Sequence, residues 1–193
     1  MTKIYIVRHG ETDWNRAGKL QGATDVPLNE EGRKQAVACG KFFEDIAIQA
    51  IFTSPLQRAS ETAKIINEQL HLPLIQIDAF RERTFGTAEG MTYEERSKVY
   101  PRKNYPNQES FKAFRKRLVR GLQEIYEAYP DEDVALIAHG AVIHTLFQIV
   151  QNADFFPKNA RLSNGGVSTI YSKGGEWWLE AYNDTHHLPK NTI

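Results

Sequence analysis

The chain has 193 residues, and its 24 Lys plus Arg balance 24 Asp plus Glu. This length suits one hydrophobic core, so residues 1–193 are expected to form a single domain. Balanced charge excludes a global field that would recruit nucleic acid or an anionic membrane, so attraction for an anion must be local. Cys39 is the only cysteine. It excludes an internal disulfide and a cysteine-based zinc cluster, and it fits a reducing compartment.

The start of the chain predicts neither a signal peptide nor a membrane anchor. Only four apolar or aromatic residues, 4–7, precede Arg8. That run is too short for a signal-peptide core, and no segment approaches the roughly 20 apolar residues of a membrane span. The expected location is therefore the cytoplasm.

Strands alternate with helices along the chain, and this order predicts an α/β fold. Short apolar runs predict strands at 4–7, 50–53, 74–77 and 134–138. Amphipathic spacing and capping signals predict helices over 30–45, from 55 onward, after 92 up to 101, over a long stretch around 111–125, and over 141–150. VSTIYS and WWLEAY flank a Gly-containing turn, which predicts an antiparallel hairpin at the C-terminal end.

Capping residues indicate where several of these helices begin. Asn29 is the predicted N-cap of the first long helix. The stretch SPLQ predicts a helix from residue 55, with Ser54 as N-cap and Gln57 completing a capping box. Thr92 and Glu95 form a second predicted capping box. The basic run 115–117 is expected to be the solvated face of the long helix.

Polar residues follow the carboxyl ends of the four predicted strands. They are, in chain order, Arg8 and His9, Arg58, Glu82, and His139 with Gly140. Loops at these strand ends form the ligand crevice of an open parallel sheet, so these side chains are expected to face one pocket. Two arginines and two histidines there would repel one another without an anion. A phosphate dianion resolves that conflict, because guanidinium groups and helix N-termini both bind phosphate oxygens.

Histidine in such a pocket can also act covalently. The neutral ring of His9 is a candidate nucleophile near pH 7, and adjacent arginine charge favours the neutral form. Phosphoryl transfer to it requires cations around the equatorial oxygens, for which Arg8, Arg58 and His139 are suitable types.

A departing alkoxide needs a proton, and Glu82 is the carboxyl that the strand-end argument places there. Glu89 and Glu11 stay open as alternatives for this role. Donation requires a protonated carboxyl at some stage, and burial or a nearby phosphate would raise the pKa of Glu82.

Four motifs, each at a predicted strand end, resemble those of the histidine phosphatase superfamily, which includes the cofactor-dependent phosphoglycerate mutases. The motifs are RHGETDWN at 8–15, SPLQRASETA at 54–63, FRERTFGTAEG at 80–90 and VALIAHG at 134–140. RHG alone would be a weak signal, whereas four motifs in order over nearly the whole chain form a strong one.

The resemblance implies catalytic roles for His9 as the phosphorylated nucleophile, Glu82 as general acid and base, and Arg8, Arg58 and His139 as phosphate ligands. It implies further substrate contacts at Thr12, Asn15, Gln21, Gly22 and Gly140. Phosphoryl would move from the substrate to the nucleophile, and water or a second hydroxyl would then attack the phosphohistidine. No metal and no cofactor is expected.

The implied fold is a three-layer α/β/α sandwich with a mostly parallel sheet and a small helical cap at about residues 83–130, between strand 3 and strand 4. Residues 83–138, 56 in all, separate the acid from the second histidine. This insertion resembles the shorter caps of the phosphatases more than those of the mutases. The favoured function is hydrolysis of a small phosphorylated metabolite. Phosphoglycerate mutase is the alternative, since Arg102 and Lys103 could hold a second phosphate, and a non-catalytic phosphate-binding module is a third reading.

For other residues the sequence predicts only a general role. His144, His186 and His187 lie off the i, i+4 spacing of helical ligand pairs, so a core or surface role is expected rather than a metal site. Leaving-group contacts are sought among cap residues, namely Arg83, Tyr93, Arg96 and Arg102. Nucleic acid and membrane are not expected as partners, and the oligomeric state is left open, a homodimer included.

Overall fold

A six-stranded sheet forms the centre of the computed structural model, which describes residues 1–152 and 161–189. The strands are β1 (Lys3–Arg8), β2 (Ile51–Thr53), β3 (Leu74–Gln76), β4 (Asp133–Ala138), β5 (Val167–Lys173) and β6 (Glu176–Asp184). Their order is β3-β2-β4-β1-β5-β6. The first four are mutually parallel, and β5 and β6 add antiparallel at one edge. The mostly parallel sheet and the C-terminal hairpin are therefore confirmed.

Helices cover both faces of this sheet. They are α1 (Asp13–Arg16), α2 (Glu30–Phe43), α3 (Gln57–Leu70), α4 (Tyr93–Val99), α5 (Phe111–Ala128) and α6 (Gly140–Phe147). Helices α2 and α3 contribute to one apolar cluster, and α5 and α6 to the other. Strand β4 supplies Leu136 to one cluster and Ile137 to the other, as expected of a strand covered on both faces. The three-layer α/β/α prediction is confirmed. Among the described helices, none has the length and apolar character needed to cross a membrane.

Two predicted caps form, and one does not. The Asn29 side chain accepts from the Gly32 N–H, and Thr92 and Glu95 make the reciprocal capping box. The predicted helix start at residue 55 is wrong, because α3 begins at Gln57 and has no side-chain cap. The Ser54 hydroxyl bonds the ring of His139 instead, at 2.7 Å between Oγ and Nε2. The helix predicted to reach residue 150 ends at 147.

The insertion between β3 and β4 divides into two parts. Helix α5 packs four buried apolar side chains against the sheet core, namely Phe114, Leu118, Leu122 and Ile125. The preceding part holds the 3-10 turn Gly86–Ala88 and the helix α4, of which no residue is buried. Because α5 belongs to a layer of the sandwich, we propose that the cap is confined to about residues 83–110 of a single domain.

The loop after β1 lies directly on the first turn of α2. A Cβ built on Gly32 would lie 2.2 Å from the carbonyl oxygen of Glu11, and one built on Gly10 would lie 2.3 Å from that of Gly32. Only glycine allows this approach of two backbones. The contact holds the loop that carries His9 against the rest of the domain.

We expect Gly32→Ala to lower the free energy of unfolding by about 1–3 kcal/mol, because the added methyl group meets backbone that cannot move aside. Gly40→Ala on the same helix is the matched control, since its Cβ would meet the amide end of Gln69 at 2.9 Å, which is the tip of a flexible side chain. Urea unfolding measures both variants. Equal stabilities for the two would contradict the proposed role of this contact.

Candidate active site

A cavity of about 200 Å³ lies at the carboxyl ends of the parallel strands. Its walls are formed by Arg8, His9, Asn15, Lys19, Leu20, Gln21, Gly22, Arg58, Glu82, Phe85, Gly140 and Ala141. Among the described residues, Thr12 and His139 are the candidate site residues that lie behind this lining. The ring of His139 nevertheless lies close to that of His9, with 5.2 Å between the ring centroids. Residues from four separate strand ends thus meet at one place.

The His9 side chain is buried and has a defined orientation. Its Nδ1 lies 2.7 Å from the carbonyl oxygen of Gly10. A carbonyl oxygen only accepts, so Nδ1 carries the proton and Nε2 keeps a free lone pair. Burial, together with the charges of Arg58 and Arg8, holds the pKa of His9 well below its ordinary value. The ring is therefore neutral at pH 7, as a nitrogen nucleophile requires.

Both arginines are tied to the protein through part of their guanidinium groups. Arg58 donates from Nη1 to the Thr24 carbonyl at 2.9 Å and from Nη2 to the Gly22 carbonyl at 2.7 Å. Arg8 donates from Nη1 to the Leu162 carbonyl. The Nε atoms of both arginines are buried and have no hydrogen-bond partner among the described residues. Buried donors without a partner are rare in folded proteins, and a catalytic or ligand-binding role is one recognised explanation for them.

His139 offers a third donor of this kind. Its Nε2 lies 2.7 Å from Ser54 Oγ, whereas its Nδ1 is buried without a partner in the described part of the chain. The Ser54 hydroxyl accepts from the Leu56 N–H at 3.3 Å, and among the described residues His139 Nε2 is the one acceptor within hydrogen-bond distance of its proton, so we assign that proton to the bond with Nε2. The proton of His139 is then on Nδ1, where it can be donated to an anion. Burial, together with the charge of Arg58, lowers the pKa of His139 well below its ordinary value.

Glu82 is the one carboxyl among the described cavity-lining residues. Its two oxygens accept from the backbone N–H groups of Arg83 at 2.9 Å and Ala141 at 3.0 Å. Burial raises the pKa of Glu82, while the two backbone donors and the charges of Arg58 and Arg8 act in the opposite direction. A raised pKa favours the protonated carboxyl that a proton donor needs.

The two alternative carboxylates have structural roles instead. Glu89 accepts from the N–H groups of Ala23, Thr24 and Phe85 and thereby closes the loop that carries Gly22. Glu11 accepts from Arg16 and Asn29, away from the cavity. These contacts leave Glu82 as the candidate proton donor.

Thr12 supports two residues of the cavity wall. Its hydroxyl lies 3.1 Å from Asn15 Oδ1 and 3.0 Å from Gln21 Oε1. Because the oxygens of both amides face Thr12, their NH₂ groups are the ends left for the cavity. We therefore assign Thr12 a positioning role rather than a direct contact with substrate.

Some contributions were not anticipated from the sequence. Lys19, Leu20 and Phe85 line the cavity, although only the neighbouring QG pair and the third motif pointed toward them. Asn164 donates to the carbonyl of His9 at 2.9 Å from beyond β4, with no motif to mark it. Arg117, expected on a solvated helix face, donates instead to the carbonyls of Ala79, Arg81 and Glu82.

The helix N-termini offer fewer free N–H donors for phosphate than the sequence predicted. The Ala141 N–H at the start of α6 is bonded to Glu82, and the Gln57 N–H at the start of α3 is bonded to Asp25 at 2.7 Å. These two amides are therefore engaged within the protein. The side chains of Arg8, Arg58 and His139 carry the unpartnered donors.

Two histidines for which the sequence predicted a core or surface role, His186 and His187, lie in another part of the fold. His186 and His187 follow β6, where a ring nitrogen of each and an oxygen of Asp184 lie within 4.8 Å of one another. The helical spacing rule did not anticipate this grouping, because it forms at a strand end. His186 Nδ1 is 2.6 Å from Asp184 Oδ1, and His187 Nε2 is 2.9 Å from the Gly165 carbonyl.

Burial raises the pKa of Cys39 to about 12, in keeping with the expected core role.

The neutral state of buried His139 predicts a loss of stability in acid. An unfolded histidine takes up a proton below about pH 6.5, which the folded site resists until its lowered pKa is reached, so stability falls at up to about 1.4 kcal/mol per pH unit. Glu82 acts in the opposite sense, because its raised pKa makes stability decrease as pH rises. Denaturant unfolding at about pH 7.5 and about pH 5.5 should show a smaller acid loss for His139→Gln than for wild type. His71→Asn, at an exposed position at the far end of α3, is the control, and an unchanged slope in His139→Gln would contradict the burial argument.

Comparisons with known proteins agree with this geometry. The sequence model of the histidine phosphatase superfamily (branch 1) matches residues 4–185. A Bacillus subtilis (strain 168) protein described as an uncharacterized phosphatase, PhoE, is 46% identical over 188 residues, with 97% of each chain covered. A metal-independent phosphoserine phosphatase of Arabidopsis thaliana is 29% identical over 202 residues, which cover 97% of this chain and 84% of that one.

Solved structures show the same likeness. Bacillus stearothermophilus YhfR matches with a TM-score of 0.87 at 30% identity, over 98% of this chain and 100% of that one. The phosphoserine phosphatase of Entamoeba histolytica in complex with 3-phosphoglyceric acid matches with a TM-score of 0.81 at 29% identity, over 98% and 100% of the two chains. The family model, the sequence identities and the fold agree over nearly the whole chain, and the chain belongs to the histidine phosphatase superfamily.

Proposed function

We propose that this phosphatase hydrolyses small phosphomonoesters through a phosphohistidine formed at Nε2 of His9. One observation carries the proposal, namely a free histidine lone pair beside three buried donor nitrogens that lack a partner among the described residues. Those donors are Nε of Arg8, Nε of Arg58 and Nδ1 of His139. They suit the three equatorial oxygens of a transferring phosphoryl group, over which negative charge spreads in the transition state.

In the first step, Nε2 of His9 forms a bond to phosphorus as the ester P–O bond breaks. The leaving oxygen takes the proton of the Glu82 carboxyl, so an alcohol departs and a carboxylate remains. The bond from Nδ1 to the Gly10 carbonyl supports the positive charge that develops on the ring. Arg58 and Arg8 keep the phosphoryl oxygens in place throughout.

In the second step, water attacks the phosphohistidine. The Glu82 carboxylate accepts a proton from the water, the N–P bond breaks, and inorganic phosphate and neutral His9 are restored. The carboxyl recovers its proton and is ready for the next turnover. Protein cations balance the charge at each stage, so the scheme routes no step through a metal.

Hydrolysis is favoured over isomerisation of phosphoglycerate. Of the two cations suggested for a second phosphate, Arg102 is exposed and lines neither cavity, which leaves Lys103 as the one member of that pair on the leaving-group side. A non-catalytic binding module is disfavoured, because phosphate binding alone would not require a neutral histidine and a carboxyl with a raised pKa at the same cavity. Relatives named as phosphatases of phosphoserine and of glucosyl-3-phosphoglycerate support a small phosphorylated metabolite as substrate. We place this activity in the cytoplasm.

His9→Ala should abolish release of p-nitrophenol from p-nitrophenyl phosphate, whereas the wild-type enzyme should retain its turnover in EDTA. Loss of the nucleophile removes the covalent route altogether, so the expected fall exceeds the ~10²–10³-fold typical of a single lost charge donor. Rapid quenching of wild type should also trap a phosphoryl group that is labile to acid and stable to base. Turnover by His9→Ala at the wild-type rate would overturn the proposal. So would isomerisation of 3-phosphoglycerate that outruns phosphate release.

Glu82→Gln should slow hydrolysis to an extent that depends on the leaving group. Alkyl phosphates need a proton on the departing oxygen and should lose about 10²–10⁴-fold in kcat/KM. p-Nitrophenyl phosphate should lose much less, because nitrophenolate departs without a proton. Steady-state kinetics on both substrates provide the comparison, with Glu89→Gln as a control for structural loss. An equal loss on both substrates would assign Glu82 a structural role only.

A further inference from the structure

A second cavity, of about 300 Å³, adjoins the catalytic one on the cap side. The two cavities share Leu20 and Phe85 in their walls, so a substrate with its phosphate at His9 can extend into the second cavity. Its remaining wall includes three tyrosines and two cations, namely Tyr93, Tyr100, Tyr105, Arg96 and Lys103. The cavity therefore combines flat apolar surface with positive charge.

Two of the three tyrosines in this wall are held by contacts within the protein. Tyr105 is buried, and its ring makes edge contacts with Phe85 and Tyr100 at centroid distances of 6.3 and 5.5 Å. The Tyr100 hydroxyl is fixed by a hydrogen bond of 2.8 Å to Thr87 Oγ1. Rings held in this way can pack against the body of a leaving group at little entropic cost.

Arg96 is a cation of this cavity that makes no ion pair with any of the described residues. Its guanidinium carbon lies 5.1 Å from the ring centroid of Tyr93, which fixes the plane of the group. Its Nη1 is buried and has no hydrogen-bond partner among the described residues.

Neighbouring cations in the same insertion differ in this respect. Lys98, on the same helix, pairs with Glu94 at 2.6 Å, and Arg83 donates to the carbonyl of Glu109 at 2.9 Å. A buried, unpartnered guanidinium N–H is costly unless something binds it. A substrate that supplies an acceptor for the Arg96 N–H would offset the free-energy cost of burying it.

We propose that Arg96 binds a carboxylate on the leaving group of the substrate, and that the aromatic wall packs against the carbon body that joins this carboxylate to the phosphate ester. The inference rests on the proposed function and names the substrate class for that site. Arginine presents a planar fork that matches a carboxylate. A carboxylate is preferred to a second phosphate, because the phosphoryl site meets its dianion with two buried arginines and a buried histidine, whereas this cavity offers one guanidinium with a buried donor and the exposed Lys103.

Matched substrate pairs test the proposal. The 2-, 3- and 4-carboxyphenyl phosphates each have a carbamoyl analogue of the same shape without the charge, and three isomers sample the distance from phosphorus to the second group. The measured quantity is the ratio of kcat/KM for the two members of a pair. This ratio does not depend on how much of a variant is folded, because the same preparation is used for both substrates.

Wild type should favour the carboxylate in at least one pair, and Arg96→Met should reduce that ratio by about 10- to 100-fold, the range of a hydrogen-bonded charge. Arg96→Lys should recover part of the ratio. Arg102→Met is the matched control, since it removes an exposed arginine of the same insertion that does not line the cavity, and its ratio should equal that of wild type.

Three outcomes would overturn the inference. The first is a ratio that Arg96→Met leaves unchanged in all three pairs, and the second is an equal change in Arg102→Met. The third is dependence on Arg96 for hydroquinone bisphosphate alone, which would identify a second phosphate as the ligand. Turnover that depends on His9, measured on p-nitrophenyl phosphate, would leave the proposed function standing in each case.

Discussion

The site depends on keeping positive charge buried around a cavity. Arg8 and Arg58 approach the same space as two neutral histidines, and burial lowers the pKa of each of these four groups. Burying these charges costs free energy. The terminal nitrogens of both arginines donate to backbone carbonyls, which offsets part of that cost, while their Nε atoms have no partner among the described residues. In the proposed scheme, a phosphoryl group offsets this cost as it binds, and offsets more of it as its charge spreads in the transition state. The same electrostatics would then account for affinity, for transition-state stabilisation and for the neutral form of the proposed nucleophile.

The rest of the domain supplies the anchors that make the arrangement possible. The glycine contact between the loop after β1 and the first turn of α2 fixes the position of His9. Glu89 closes the loop whose carbonyls receive Arg58, and Arg117 holds the backbone on either side of Glu82. None of these residues touches the phosphoryl group in the proposed scheme. They matter because a site of buried charges tolerates little displacement.

Chemistry and selectivity are assigned to different parts of the chain. The phosphoryl cavity is built at the ends of buried parallel strands, whereas the second cavity is built from the exposed helix α4 and the turns around it. A surface insertion can change without disturbing the sheet, because it contributes little to the core. In the proposed scheme, the leaving-group cavity could therefore vary while the phosphoryl site is kept.

Local sequence determined much of this protein. Apolar runs located the strands, and the strand-end rule brought Arg8, His9, Arg58, Glu82 and His139 to one edge, because parallel strands end there together. Tertiary structure decided where each side chain points and which partner it meets, because sequence spacing does not specify either. Ser54 looked like a helix cap, yet its hydroxyl meets the ring of a histidine 85 positions away and sets which nitrogen of that ring carries the proton.

The insertion between β3 and β4 is a second place where local sequence did not decide the contacts of individual side chains. Its arginines were equivalent in the sequence, but Arg83 is bound by a backbone carbonyl, Arg102 is exposed and Arg96 keeps a buried free donor beside the second cavity. Amphipathic spacing located α5 but could not show that it forms a layer of the sandwich rather than part of the cap. Periodicity reports which residues share a face of one element. The element that this face meets, and the hydrogen-bond partner that each buried polar atom finds, follow from contacts between segments far apart in the chain.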